Sequence, residues 1–409
     1  MKARYFYGYN IVAAGFTIQA VCIGAMFAYG VFFKELQTEF GWSRATISGA
    51  SSLAFFIMGA VGILAGRLND RIGPRVLIVA SAGFLGLGYL LMSRMQAPWQ
   101  LYLLYGVMAG IGFSTHDVIT LSTVARWFVK RRGLMSGIVK VGTGSGQLLG
   151  PMIATMLLAL FGWRNSNLII GAVILVALVA VAQLMRRDPH GMGLLPDGGS
   201  EAANGAASVV AEQGFSLREA LLMKQFWTLC VAEFAVLCCL LTVIVHIVPY
   251  ARDLGLSPTI AAGVLSTIGG VSIIGRIVMG AANDRIGGRH SLIICLIVLF
   301  CGFIVLQLAA EAWMLFLFAA IYGFAHGGFF TVVSPMVAEL FGTDSHGLLF
   351  GIVLFSGTLG GAVGPLMAGR TFDLTGSYQM VFLVLSALTL IGFVLMILLR
   401  PITTGDTGQ

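Results

Sequence analysis

The chain has 409 residues, of which 58% are hydrophobic and 10% are Asp, Glu, Lys or Arg, and its mean hydropathy is +0.94. Soluble domains carry about 25% charged residues, so this composition excludes a water-soluble enzyme, a disordered protein and a secreted disulfide scaffold. The net charge is +7, and the six cysteines lie in apolar stretches without metal-ligand spacing. We therefore expect neither a metal nor a cofactor.

Twelve apolar stretches follow one another along the chain, each close to the roughly 20 residues that a spanning helix needs. Their approximate limits are 9–33, 46–66, 76–94, 99–125, 134–160, 165–185, 225–250, 259–282, 291–310, 312–338, 347–369 and 379–399. The stretches are continuous, whereas the strands of a membrane β-barrel alternate between polar and apolar residues. The sequence thus predicts an all-α polytopic membrane protein with twelve transmembrane helices.

The basic residues indicate the orientation of these helices. If both termini are cytoplasmic, sixteen Lys and Arg residues lie on the inner side and six on the outer side. Cytoplasmic loops carry such an excess in membrane proteins. The positive charge is then explained by topology, which predicts a multi-pass protein of the inner cell membrane without a nucleic-acid partner.

An internal repeat divides the chain in two. The sequence GRLNDRIGPR at 66–75 recurs as GAANDRIGGR at 280–289, 214 residues later, and a long polar stretch separates the two copies. The pattern predicts a six-helix bundle at 1–187, a cytoplasmic linker at 188–224 and a second six-helix bundle at 225–409. Two such repeats are typical of carriers whose halves rock about a site near the membrane midplane.

The repeated element, Gly-x-x-x-Asp-Arg-x-Gly-x-Arg, resembles the signature of the major facilitator superfamily. Each copy follows an even-numbered helix, in a short loop that the topology places in the cytoplasm. In this family the loop aspartate pairs with basic residues or a helix end, and breaking that contact is part of switching between transport states. The resemblance implies this role for Asp70, Arg71, Asp284 and Arg285.

Further motifs resemble bacterial monocarboxylate-transporter-like proteins and the related oxalate/formate antiporters. For the former they are GVFFK at 30–34, EFGWSR at 39–44, RWFVKRRGL at 126–134, FGWR at 161–164 and GLLPDG at 193–198. For the antiporters they are QFW at 225–227 and VPY at 248–250. The resemblance covers the whole chain and implies the major facilitator fold.

The function that the resemblance implies is secondary active transport rather than enzymatic catalysis. The leading expectation is a functional monomer that carries small monocarboxylates, such as lactate or pyruvate, together with a proton. An exchanger of organic anions of the oxalate/formate type is the alternative. Drug export is disfavoured, because many drugs are cations and the predicted midplane charges include a buried arginine and a buried lysine.

Six ionisable side chains lie well inside the predicted helices, and a seventh, His246, is set aside because it lies close to the outer edge. Such residues are costly in a membrane and are functional candidates for that reason. Counted at about 1.5 Å per residue from the nearest cytoplasmic charge, four of them lie at a similar depth, roughly 12–14 Å into the membrane. These four are Asp117, Lys140, Glu233 and Arg276, and the remaining two are His116 and His326.

Arg276 is the leading candidate for binding the substrate. Its guanidinium matches a carboxylate in a bidentate geometry, and the resemblance implies a substrate arginine at this place in helix 8. An ion pair with Glu233 is the structural alternative. Lys140 has two open interpretations: it binds a second anionic group of the substrate, or it forms an internal ion pair with Asp117.

Two departures from animal monocarboxylate transporters concern proton coupling. Those proteins have a lysine where this chain has Phe27, and an aspartate where it has Ser272. Coupling here must then use Asp117, Glu233 or His116, or be replaced by anion exchange. The remaining substrate-binding candidates are Ser272 and His326, with Phe27, Tyr29 and Phe355 as an apolar wall.

Overall fold

The computed structural model describes residues 6–198 and 214–399, and these residues form helices and connecting turns without a β-strand. Within this part of the chain, nine helices are long and apolar enough to cross a membrane. Two of the nine contain a glycine with non-helical backbone angles, Gly162 and Gly287, which separates two spans. One further span, at 98–127, is divided into shorter helices and is therefore not among the nine.

Counted in this way, the described residues form twelve helical segments of membrane-spanning length, one for each predicted stretch. They are α1 Gly8–Phe40, α2 Arg44–Ile72, α3 Pro74–Met92, α4 98–127, α5 132–161, α6 163–182, α7 Lys224–Asp253, α8 258–286, α9 288–307, α10 Ala312–Phe341, α11 His346–Thr375 and α12 Gln379–Leu398. The prediction of an all-α polytopic fold is confirmed.

Helix α4 differs from the continuous helix predicted at 99–125. A π-helical stretch runs over Tyr102–Ala109, one turn of α-helix follows at Gly110–Phe113, and after a break at Ser114 and Thr115 the α-helix resumes at His116–Trp127. Just before this point the Ser114 hydroxyl donates to a backbone carbonyl three residues earlier, at 2.7 Å. Hydroxyls that bond to nearby backbone in this way compete with helical hydrogen bonds. The interruption places Asp117 in the first turn of a helix, where a carboxylate is favoured by the helix dipole.

The internal repeat extends to the backbone geometry. Glycines with left-handed φ recur at the separation of the two sequence motifs. The pairs are Gly41 and Gly255 (φ 68° and 80°), Gly73 and Gly287 (83° and 80°), and Gly162 and Gly376 (70° and 67°). Ser43 and Ser257, separated in the same way, each accept a hydrogen bond from the backbone N–H three residues later, at 3.1 and 3.3 Å. Both halves therefore use the same caps and turns to start and end corresponding helices.

The chain forms two compact units. The first comprises Met1–Gly214 and Thr343–Gly351, and the second comprises Phe215–Gly342 and Ile352–Gln409. The first unit thus contains α1 to α6 together with the first turn of α11. The second contains α7 to α10, the rest of α11 and α12.

Glycines bring helices into backbone contact within each unit. In the first, a Cβ on Gly142, Gly146 or Gly150 of α5 would collide with the carbonyls of α1. In the second, a Cβ on Gly360 or Gly364 of α11 would collide with carbonyls of α7. Lipid is as apolar as the side chains, so membrane helices associate through close packing of this kind and through polar contacts. The spacing of these glycines sets α5 against α1 and α11 against α7.

The predicted linker at 188–224 is described only at its two ends, and residues 199–213 lie outside the described part of the chain. On the N-terminal side, the Asp197 carboxylate accepts hydrogen bonds from the backbone N–H groups of Val129 and Lys130, at 3.0 and 2.8 Å. On the C-terminal side, a short helix at Leu217–Leu222 leads into α7. The loop after α4 is thereby tied to the residues that follow α6.

Candidate functional site

A buried ion pair joins α4 and α5 in the first unit. Lys140 Nζ donates to Asp117 Oδ1 at 2.6 Å, and the two side chains are 4% and 17% exposed. Of the two interpretations of Lys140, the structure therefore shows the internal ion pair. Binding of an anionic substrate by Lys140 stays a prediction.

His116 stands beside this pair and its tautomer follows from its contacts. Nδ1 lies 2.6 Å from the carbonyl oxygen of Phe113, and because a carbonyl only accepts, Nδ1 must carry a hydrogen. The other ring nitrogen, Nε2, lies 3.4 Å from Asp117 Oδ2. The contact with the backbone thus fixes the orientation of an imidazole that lies beside the carboxylate.

Gln19 of α1 connects these groups and was missed by the sequence analysis. Its amide nitrogen donates to Asp117 Oδ1 at 2.8 Å and lies 3.1 Å from the hydroxyl of Thr120, and its amide oxygen accepts from the hydroxyl of Thr143 at 2.7 Å. The side chain is fully buried. A search for uncharged polar residues inside apolar helices would have found it, since these residues form hydrogen bonds between membrane helices.

Arg276 lies in the middle of α8 in the second unit and is 1% exposed. Its Nη1 donates to the hydroxyl of Ser272, one turn earlier, at 3.1 Å, and that hydroxyl donates to the carbonyl of Gly269 at 2.7 Å. The structure thus brings together two of the predicted substrate-binding residues. In this arrangement Ser272 positions the guanidinium.

The backbones of α8 and α10 meet around Arg276. A Cβ on Gly275 would collide with the carbonyl of Phe324, and a Cβ on Gly327 would collide with the carbonyl of Ser272. His326 is next to this contact and packs between Tyr322 and Phe330, with ring centroids 5.8 and 5.1 Å away. Close helix contact therefore holds Arg276 and His326 on neighbouring segments of the same unit.

Two further candidates of the second unit lie on α7 and α11. Glu233 is 1% exposed, and its side chain occupies the space that the missing side chain of Gly357 leaves on α11. Phe355 is half-buried on the same helix. Their roles in proton coupling and in the apolar wall stay predictions.

The two aromatic candidates of α1 lie in different surroundings. The Tyr29 ring stacks on that of Tyr105 with centroids 3.8 Å apart, and its hydroxyl donates to the carbonyl of Ile47 at 2.8 Å. Phe27 is 38% exposed. Tyr29 thus has a structural role at the point where the helix tightens into a 3₁₀ turn, and the wall assigned to both residues stays a prediction.

The Asp70 carboxylate is the centre of a cluster in the first unit. Oδ1 accepts from Arg126 Nη2 at 2.5 Å and from the backbone N–H of Gly347 at 3.1 Å, and Oδ2 accepts from the N–H of Leu348 at 3.0 Å. Gly347 and Leu348 form the first turn of α11, whose N–H groups have no partners within the helix. Asp70 therefore caps a helix and pairs with an arginine at once.

The remaining loop residues have different positions. Arg71 and Arg285 are exposed, and Asp284 is half-buried. The neighbour of Asp284, Asn283, donates from its amide to Glu339 Oε1 at 3.1 Å. A part in switching for these three residues stays a prediction.

The comparisons with known proteins agree with this architecture. The model of the Major Facilitator Superfamily matches residues 15–280 and 241–409. Monocarboxylate transporter 13 of Bos taurus is 28% identical over 388 residues, which are 94% of this chain and 88% of that protein. Monocarboxylate transporter 12 of Homo sapiens is 25% identical over 402 residues, which are 92% and 77% of the two chains.

A solved structure shares the fold. That of the human organic anion transporter MFSD10 (TETRAN) has a TM-score of 0.74 and 17% identity, and the match covers 95% of this chain and 99% of the other. At this identity the likeness concerns the fold alone. The family match, by contrast, covers nearly the entire sequence, and the chain belongs to the Major Facilitator Superfamily of membrane transporters.

Proposed function

We propose that this protein is a secondary active transporter of small monocarboxylates of the lactate and pyruvate type, driven by protons. The observation that carries the proposal is Arg276, a fully buried arginine in the middle of a membrane helix. A charge in this position costs about 2.5–3.5 kcal/mol by insertion scales. Because of this cost, a buried arginine in a membrane helix is expected to have a function that needs its charge.

The chemistry of the guanidinium favours a carboxylate. Its N–H groups form a planar fork that bonds both oxygens of a carboxylate at once, and it stays charged at every physiological pH. The bond to Ser272 holds one arm of the fork in place, so less freedom is lost when an anion binds. The match to two relatives covers more than three quarters of each relative's length, and both are named monocarboxylate transporters. Their names support the same class of substrate.

Uptake into proteoliposomes tests the proposal. The purified chain is reconstituted, and uptake of radiolabelled lactate, pyruvate, formate and oxalate is measured with and without an inward proton gradient. We expect lactate or pyruvate to accumulate, and to do so faster when the outside is acidic. Uptake of oxalate in exchange for formate, indifferent to the pH gradient, would instead establish the anion exchanger.

The role of Arg276 is tested by substitution. Arg276→Lys keeps the charge but loses the fork, so we expect uptake to fall by about tenfold or more, and Arg276→Ala to abolish it. Arg370→Lys, at an exposed position of α11, is the matched control and should transport normally. Near-normal uptake by well-folded Arg276→Ala would reject the assignment.

A further inference from the structure

The polar network of the first unit suggests how a proton is carried, an inference that rests on the proposed function. We propose that the transported proton binds at Nε2 of His116, facing Oδ2 of Asp117, with Gln19 and Lys140 holding the carboxylate in place. The proposal follows from which hydrogen-bonding positions of the carboxylate and the imidazole are already occupied.

One oxygen of Asp117 is fully engaged. Oδ1 receives the ammonium of Lys140 at 2.6 Å and the amide of Gln19 at 2.8 Å. Oδ2 lies 3.4 Å from Nε2 of the imidazole. His116 therefore lies beside the less engaged oxygen of the carboxylate.

One nitrogen of His116 is engaged as well. Nδ1 must carry a hydrogen, because it lies 2.6 Å from the carbonyl of Phe113. In the neutral ring Nε2 then has a lone pair, and it lies 3.4 Å from Oδ2 of Asp117. One added proton makes the ring an imidazolium, whose positive charge the nearby carboxylate attracts. Nε2 is therefore the position where this network can take up a proton.

The charges of the network support reversible binding. Without the proton, Lys140 and Asp117 cancel and the imidazole is neutral, so the buried network carries no net charge. With the proton it carries one positive charge, which is costly in a membrane.

Several uncharged groups among the described residues pack around the site. From α1, Cys22 is a further titratable side chain within the field of Asp117. From α3, the hydroxyl of Ser81 accepts from that of Thr115 at 2.8 Å, and α2 presents Gly62 to Val118.

The proton step involves no other reaction. On the acidic side a proton from water bonds to Nε2 and forms an imidazolium. On the other side the same N–H bond breaks and the proton returns to water.

Substitution of His116 separates proton coupling from substrate binding. His116→Gln places an amide near the position of Nε2, where it cannot be protonated. His116→Asn places an amide near Nδ1 and so keeps the bond to Phe113. Both variants are compared with His290→Gln, an exposed histidine of α9 whose Nδ1 also lies near a backbone carbonyl, that of Ile286, at 2.9 Å.

Three measurements are made on purified protein in proteoliposomes: exchange of lactate at equal concentrations, net lactate uptake driven by a pH gradient, and proton influx reported by a trapped dye. For His116→Gln and His116→Asn we expect exchange to stay within about twofold of the unsubstituted protein. Net uptake and proton influx should fall by about tenfold or more, because an amide does not titrate. The His290→Gln control should change none of the three.

The possible failures are distinguishable. If the unsubstituted protein exchanges no monocarboxylate, the proposed function fails and this inference falls with it. If it exchanges lactate but moves no proton, monocarboxylate transport stands, whereas proton coupling and this inference with it are wrong. The inference is also wrong if a folded His116 variant keeps its proton influx, or if both variants lose exchange together with net uptake.

Discussion

At the scale of single residues, the buried charges show how neighbours determine a role. Lys140 is 4% exposed and bonds to Asp117 in the same unit. Removing one member of a buried ion pair leaves the other charge uncompensated, which costs about 3–5 kcal/mol, whereas removing both members together costs far less. This asymmetry makes the pair open to a direct test.

We expect Lys140→Met alone to lower the thermal stability of the purified protein and to reduce lactate exchange. The stranded Asp117 carboxylate is the cause, because it must take up a proton or destabilise the fold. The double change Lys140→Met with Asp117→Asn should restore stability and lactate exchange, since no charge is then left unpaired. Thermal unfolding and counterflow of lactate measure the two effects.

The same variants test whether Lys140 binds substrate. If it does, Lys140→Met weakens a dicarboxylate such as oxalate far more than lactate, and the second substitution rescues neither. Failure of the well-folded double variant on lactate would therefore reject the ion pair as the main role of Lys140.

At the scale of helices, the first turn of α11 depends on Asp70. This carboxylate accepts two N–H groups of α11 and the guanidinium of Arg126. An amide at this position keeps one acceptor oxygen but loses the charge that strengthens all three bonds. These contacts hold the first turn of α11 against the end of α2 and Arg126.

We expect Asp70→Asn to slow turnover by about tenfold while it leaves equilibrium substrate binding within about twofold, since a hydrogen bond to a charged group is worth about 1.5–3 kcal/mol. The reason is that the carrier returns less readily to a state that has lost part of its stabilisation. Initial rates of transport and equilibrium binding of labelled lactate are compared in the same preparation.

Asp373→Asn, at an exposed position of α11, removes one carboxylate from the same helix and should alter neither quantity. An Asp70→Asn variant with weakened binding and an unchanged transport rate would show that Asp70 does not act in switching.

A second cluster ties α1 to α6 and was not expected from the sequence. Glu39 Oε1 accepts from Arg164 at 2.6 Å, Glu39 Oε2 accepts from Trp163 at 2.5 Å, and the guanidinium of Arg164 also lies 4.4 Å from the centre of the Trp163 ring. Two motifs that were identified separately, at 39–44 and 161–164, thus contact each other. An ion pair with 38% and 42% exposed side chains adds little stability, so its effect is to fix the position of the helix ends.

At the scale of the whole molecule, the distribution of basic residues predicts that both termini and the connection at 188–224 are cytoplasmic. We test this orientation with single cysteines at two exposed sites, His190→Cys after α6 and Thr259→Cys at the start of α8. The background carries Cys301→Ser, because Cys301 is exposed while the other five cysteines are buried.

A membrane-impermeant maleimide should label Thr259→Cys in intact cells and His190→Cys only after the membrane is permeabilised. Both variants should be labelled to the same extent in detergent, which controls for access. The opposite pattern of labelling in intact cells would invert the predicted topology.

Much of this protein follows from its sequence. Hydrophobicity and charge are properties of each segment by itself, so the twelve spans were identified before their contacts were known. The repeat was visible because the same glycines and serine caps serve both halves, as Gly73 and Gly287 illustrate. The depth of each buried charge also follows from counting residues along a helix.

The tertiary structure decided which side chains meet. Depth along a helix does not give the direction that a side chain faces or the helix that faces it, so the sequence left Lys140 open between a substrate and Asp117. Gln19 reaches that network because the glycines of α5 allow α1 to pack closely against it. The sequence analysis missed this residue because an amide carries no charge. The interruption of α4 likewise depends on local hydrogen bonds that hydropathy does not reveal, and this interruption places His116 and Asp117 together at the start of a helix.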